Sequence, residues 1–113
     1  MDVNTFAVEL TSALVNCEFV DKIALQTEAT IVRGRMFLHQ DMFLELYFNE
    51  ATGTIAFALI KDQKRIWGID NDTIRGWHQH PIEAPETHVE LKPMSVLEIV
   101  NEFEKTITAI INL

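Results

Sequence analysis

Apolar positions recur at three- and four-residue spacing over residues 2–17. Phe6, Leu10, Ala13, Leu14 and Cys17 would share one face of a helix. Asp2 or Asn4 offers a side-chain oxygen to cap its start. Residues 18–28, with Val20, Ile23 and Leu25, fit a short strand or a connection equally well. From about Ala29 the period falls to two. Thr30, Val32, Gly34, Met36 and Leu38 face one side, and Ile31, Arg33, Arg35 and Phe37 the other. His39-Gln40-Asp41 reads as a tight connection. Met42 to Phe48 reads as a second strand, rich in aromatic and aliphatic side chains. Asn49 to Gly53 suits a hairpin loop, because Gly53 is free to adopt a positive φ. Thr54 to Ile60 is a third strand, Lys61-Asp62-Gln63 a turn, and Lys64 to Ile69 a fourth strand. Connections this short join antiparallel neighbours. The pattern therefore predicts a four-stranded antiparallel meander between about Ala29 and Asp70.

Asp70-Asn71-Asp72 has the composition of a turn that ends the sheet. Gly76-Trp77-His78-Gln79-His80-Pro81 follows, then Pro85 and His88. This stretch has no apolar periodicity and reads as a His-rich loop. A helix start comes next. Ser95 and Glu98 have capping-box spacing, and Met94 and Ile99 occupy the positions of a hydrophobic staple. Val96, Val100, Phe103, Ile107, Ile110 and Ile111 continue as an apolar stripe, with Phe103 and Ile107 at its centre and expected to be fully buried. Two amphipathic helices flanking an antiparallel sheet bury their stripes most simply on one sheet face. The expected fold is a single α+β domain over residues 1–113, with both helices on one face.

Composition narrows the class. The chain is 48% hydrophobic and 23% charged, which is globular rather than disordered. No apolar run is long enough to span a bilayer, and no basic segment precedes an apolar run at the N-terminus. Cys17 is the only cysteine, so no internal disulfide forms, and it reads as a small core residue. A cytoplasmic protein without a membrane partner is expected. The formal charge of −8 disfavours bulk attraction to RNA. Acids dominate both ends of the chain. In the middle, Arg33, Arg35, Lys61, Lys64, Arg65 and Arg75 balance the acids, which leaves room for a local basic patch.

The histidines carry the candidate chemistry, since imidazole titrates near neutral pH and is the commonest metal ligand. Metal sites need three or four ligands in defined geometry. His78 and His80 point the same way if extended, and His88, Asp70, Asp72 or Glu86 could join them. A histidine pair one residue apart, with no cysteine pair and no His-Glu-x-x-His, is a thin signature, so neither a metal nor another cofactor is expected. Acid–base cleavage of RNA needs a base, an acid and a cation on the phosphate. His78 and His80 supply the first two, with Asp70 and Arg65 beside them. Arg75, Trp77, His88 and Glu45 are the substrate-binding candidates, Trp77 by stacking on an unpaired base. Only a short segment separates Ile69 from Trp77, so His78 and His80 are expected near Asp70 and Arg65 in one concave site. As loop residues they should add little stability, and replacing both with Ala should leave the fold nearly unchanged. Phosphate-binding glycine loops and nucleophile elbows are absent.

Four segments together resemble the TumE family, small toxins of bacterial and archaeal toxin–antitoxin pairs. They are Phe43 to Glu50, Ile55 to Leu59, Lys64 to Asn71, and Gly76 to Pro81. The matching positions are Asp70, Asn71, His78 and His80, with Glu45 a looser match. The resemblance covers about the middle third of the chain. It implies a cytoplasmic toxin with a cognate antitoxin encoded nearby. One departure is the acidity, since small ribonuclease toxins are usually basic. The rival expectation is a non-catalytic binding or assembly domain, a homodimer included.

Overall fold

A computed structural model of the protein describes residues 1–15, 17–39 and 41–111. Gln40, in the expected His39-Gln40-Asp41 connection, lies outside the described residues. Helix α1 (Val3–Leu14) precedes seven strands and helix α2 (Val96–Ile111) follows them. The strands are β1 (Val20–Glu28), β2 (Ile31–Leu38), β3 (Met42–Asn49), β4 (Thr54–Lys61), β5 (Lys64–Asp72), β6 (Gly76–His80) and β7 (Val89–Glu90). They form one antiparallel sheet in sequential order. The fold is α+β as expected, but the meander has seven strands rather than four.

The three additional strands were hidden for different reasons. β1 lies at the sheet edge, with only Val20 and Leu25 partly buried, so it carries no alternating apolar pattern. It joins β2 through Ala29 and Thr30, with Ala29 at φ 52°. β6 replaces the expected His-rich loop. Its polar residues alternate faces, and the half-buried Trp77 packs against the core. Asp70, Asn71 and Asp72 do not end the sheet. They pair with His78, Trp77 and Gly76, and the chain reverses through Thr73–Arg75. There Asp72 Oδ1 accepts from the Ile74 and Arg75 amides at 2.9 and 2.7 Å, and Gly76 takes the positive φ of 67° that the return requires. β7 pairs only two residues with β6, too few to leave a periodic signal. The β4–β5 hairpin matches its sequence reading, with both Asp62 and Gln63 at positive φ.

Register sorts the side chains into two faces. Val32, Phe48 and Ile55 form one cross-strand row and Met36, Leu44, Leu59 and Trp67 another, all buried. Both helices pack on this face. Phe6 of α1 stacks on Phe48, with centroids 4.6 Å apart and planes 6° from parallel, and Phe103 of α2 lies 6.2 Å from Trp67. Phe103 and Ile107 are fully buried. Cys17 lies past the end of α1 but still in the core, where burial pushes its thiol pKa up.

Capping anchors both helix starts. Asp2 Oδ1 accepts from the Thr5 amide at 2.7 Å, and Glu50 Oε1 in the β3–β4 loop accepts from the Val3 amide at 2.8 Å. At α2, Ser95 Oγ accepts from the Glu98 amide at 3.1 Å, and the Ser95 amide donates to Glu98 Oε1 at 3.0 Å. Hydrogen bonds to it from the Ser95 amide and then the Ser95 side chain hold the Glu98 carboxyl below its ordinary pKa. Ser95→Ala should cost about 1 kcal/mol, read as a shifted urea midpoint with an unchanged slope. An unmoved midpoint would mean that water satisfies those amides equally well.

Candidate functional site

The second sheet face carries no helix. Its cross-strand rows run Arg33–Tyr47–Ala56–Asp70–His78–Glu90 and Arg35–Glu45–Ala58–Gly68–His80. Asp70 on β5 therefore sits directly beside His78 on β6, and His80 lies one pleat along. The segment from Pro81 to Thr87 folds over this end through two tight turns, Ala84 N–H to Pro81 O and Thr87 N–H to Ala84 O. It brings His88 back against the other two imidazoles, with ring centroids 5.4 Å from His78 and 4.7 Å from His80.

Asp70 is the hub. Its Oδ2 lies 3.4 Å from His78 Nε2, 3.2 Å from His80 Nε2 and 3.3 Å from an Arg65 guanidinium nitrogen. Its other oxygen, Oδ1, is buried without a hydrogen-bond partner. His78 Nδ1 lies 2.9 Å from Gly76 O and His80 Nδ1 2.9 Å from Pro85 O. A carbonyl oxygen only accepts, so both Nδ1 atoms carry the proton and donate it. The Nε2 atoms are left facing Asp70.

Arg65 reaches Asp70 because of an irregularity in the β4–β5 ladder. Leu59 pairs with Trp67 but Ile60 with Arg65, so β5 carries one extra residue. Strict alternation would put Arg65 on the face of Trp67, and the extra residue turns it to the other side. Gly68 lets the β4 backbone come close beside it, since a Cβ there would stand 2.9 Å from Phe57 O, whereas Arg65 Nε at 3.6 Å would be in ordinary contact. A lone glycine inside a strand is a sequence mark of such close approach, and it was the signal that pattern reading passed over. Glu90, opposite His78, was also missed because β7 is so short.

The candidates named from sequence divide into two groups. His78, His80, Asp70, Arg65 and His88 meet in one cluster. Arg75 borders it, its charge acting on His88. Trp77 does not belong. It shares a row with Asn71 and Ile55, so it turns toward the helices, away from the histidines. Glu45 lies two strands away beyond Ala58 and pairs with Arg35 at 3.4 Å. The expected concavity is also corrected. His78 is 4% and His80 7% exposed, so their rings are enclosed rather than lining an open cleft. His88 is the exposed member. Desolvation, then the charges of Arg75, His80 and His78, push its pKa below the ordinary value, against an opposing pull from Asp70.

The bare face continues from the cluster as a groove of about 530 Å³, lined in part by Gln26, Arg33, Arg35, Glu45 and Tyr47. The guanidinium of Arg33 lies 5.7 Å from the Tyr47 ring centre and that of Arg35 4.7 Å from the Phe43 ring centre. Among the described residues, no helix is long and apolar enough to cross a membrane. No family model, curated protein or solved structure matches the chain.

Proposed function

We propose that the protein is a small toxin-like hydrolase of RNA phosphodiesters, with the Asp70–His78–His80–His88 cluster as its working centre. The observation that carries this reading is the convergence of two imidazoles and Arg65 on one carboxylate, with a third imidazole, His88, against the first two, at the end of an uncovered sheet face that bears Arg33 and Arg35. A buried carboxylate orients the histidines it holds, which is a preparation that acid–base and electrostatic catalysis need. Enclosure of His78 and His80 assigns substrate contact to the solvent edge, where His88 and Arg75 lie. Arg75 is the group for a phosphate there, since a guanidinium fork matches its oxygens. Arg33, on the same face, offers a strand of RNA one further cation, while Arg35 is already paired with Glu45. The TumE resemblance adds an antitoxin as the partner that restrains the activity.

Induced expression in a bacterial host, with total RNA followed over time, tests this reading. Growth arrest with RNA cleavage is expected, relieved in Arg75→Ala and His88→Ala, each slowing cleavage at least about 100-fold. Both side chains stand at the solvent edge, so the variants should fold. Absence of arrest and cleavage, or full activity in both variants, would overturn the proposal. The burial of His78 and His80 specifically favours a second reading, in which the cluster only clamps the segment from Pro81 to His88 to the sheet of a non-catalytic binding domain. That reading predicts no cleavage in any form of the protein.

A further inference from the structure

We propose that His78, His80, His88 and Asp70 form a binding site for a divalent transition ion of the zinc class. The inference rests on the same cluster as the hydrolytic reading and names the ion that would act there. Spacing in the sequence set a metal aside, because two histidines one residue apart are too few ligands. The fold supplies the remainder. β5 contributes Asp70, β6 contributes His78 and His80, and the returning segment contributes His88.

The distances fit such an ion. Two ligands bound at 2.0–2.1 Å to a tetrahedral ion stand roughly 3.3–3.4 Å apart. Asp70 Oδ2 lies 3.4 and 3.2 Å from the two buried Nε2 atoms. One nitrogen from each of the three histidines falls within 4.8 Å of the others, and His88 is the exposed member of the three.

The supporting atoms fit as well. Ligating imidazoles usually donate their second nitrogen to a carbonyl or carboxylate, which sets the tautomer. His78 and His80 do so to Gly76 O and Pro85 O, leaving Nε2 on both as the ligating atom. Ligating carboxylates are themselves hydrogen-bonded, and Arg65 supports Asp70 in this way. A further sign comes from Asp70, 8% exposed. Three nitrogens crowd its Oδ2 while its Oδ1 is buried with no partner. A divalent cation set between Oδ2 and the two Nε2 atoms would take up the ring nitrogens that the Nδ1 bonds leave free. The donor set of three imidazoles and one carboxylate selects the zinc class over magnesium or calcium, which prefer oxygen.

The test uses tag-free protein stripped with chelator and titrated with Zn²⁺, and separately with Co²⁺ for its visible absorption. His39→Ala is the control, because that fourth histidine pairs instead with Asp21 at 3.0 Å. His88→Ala is the informative variant, since its exposed ring can be removed without opening the core. The wild type and His39→Ala should each bind a single equivalent. His88→Ala should bind about 100-fold more weakly, the upper range that even outer supporting residues are worth, and should lose the tetrahedral cobalt spectrum. Failure of the wild type to bind either ion, or unchanged binding by His88→Ala, would overturn the site. Cleavage assays run with and without chelator separate this inference from the reading it rests on. Cleavage by a protein that binds neither ion rejects the ion and keeps the hydrolase. Stoichiometric zinc with no cleavage keeps the ion and rejects the hydrolase.

Discussion

Replacing Phe103 with Ala should lower stability by about 3–5 kcal/mol, the usual cost of removing a large aromatic from a packed core. Phe103 has no exposed surface and lies 6.2 Å from Trp67, itself buried at the centre of the sheet. Val100 and Ile107, one helical turn to either side, are also buried, so the surrounding atoms are already packed and have little room to collapse into the gap. A loss of this size is a large fraction of the 5–15 kcal/mol, roughly, that holds a domain folded. It would appear as a lower midpoint of urea unfolding with an unchanged slope, and the truncated protein would be partly unfolded at modest temperature. A midpoint that hardly moves would mean that α2 does not pack on the sheet through this residue.

The second large effect is expected at Asp70. Asp70→Ala should cost about 3 kcal/mol, the lower end for breaking a buried ion pair by removing one partner. His78 and His80 are enclosed and their Nε2 atoms have Asp70 as their shared partner. The lower end applies because Arg65, 37% exposed at its side chain, can turn to water. The segment from Pro81 to His88 should loosen as well, with faster amide exchange at Ala84 and Thr87, whose bonds close its turns. Asp70→Asn keeps the shape and should lie between the wild type and Ala. A loss under about 0.5 kcal/mol, the scale of an ordinary surface substitution, would show that the cluster is not a structural hub. The same burial reverses the sequence expectation for His78 and His80. Replacing both with Ala should destabilise the protein, because it strands the Asp70 carboxylate beneath the covering segment.

Local chemistry had already specified much of the fold. The helical stripe of Phe103 and Ile107, the Ser95–Glu98 capping box, and the alternation through β2, β3 and β4 were all legible. Each depends on neighbours within a few residues, and burial on one face repeats at the period of the element itself. The one-sided placement of both helices followed from the same logic, since a half-apolar sheet must be covered once.

The misreadings share a physical cause. β1 is an edge strand with little to bury, so its pairing leaves no mark in its own residues. β6 looked like a loop because its partner-facing side is filled by histidines rather than by aliphatic side chains. The sequence by itself kept His78 and His80 near Asp70, because only a short segment separates Ile69 from Trp77. It also determined which residues could do chemistry there. Tertiary structure decided the rest. Cross-strand register set Asp70 beside His78 and sent Trp77 to the opposite face. An extra residue in β5 turned Arg65 inward over Gly68. The fold of the segment after Pro81 enclosed His78 and His80 and left His88 at the surface. Side-chain direction in a strand reverses with a single residue of register, and register is set by pairing with other strands, so no local pattern could have decided whether these histidines form an open loop or an enclosed cluster.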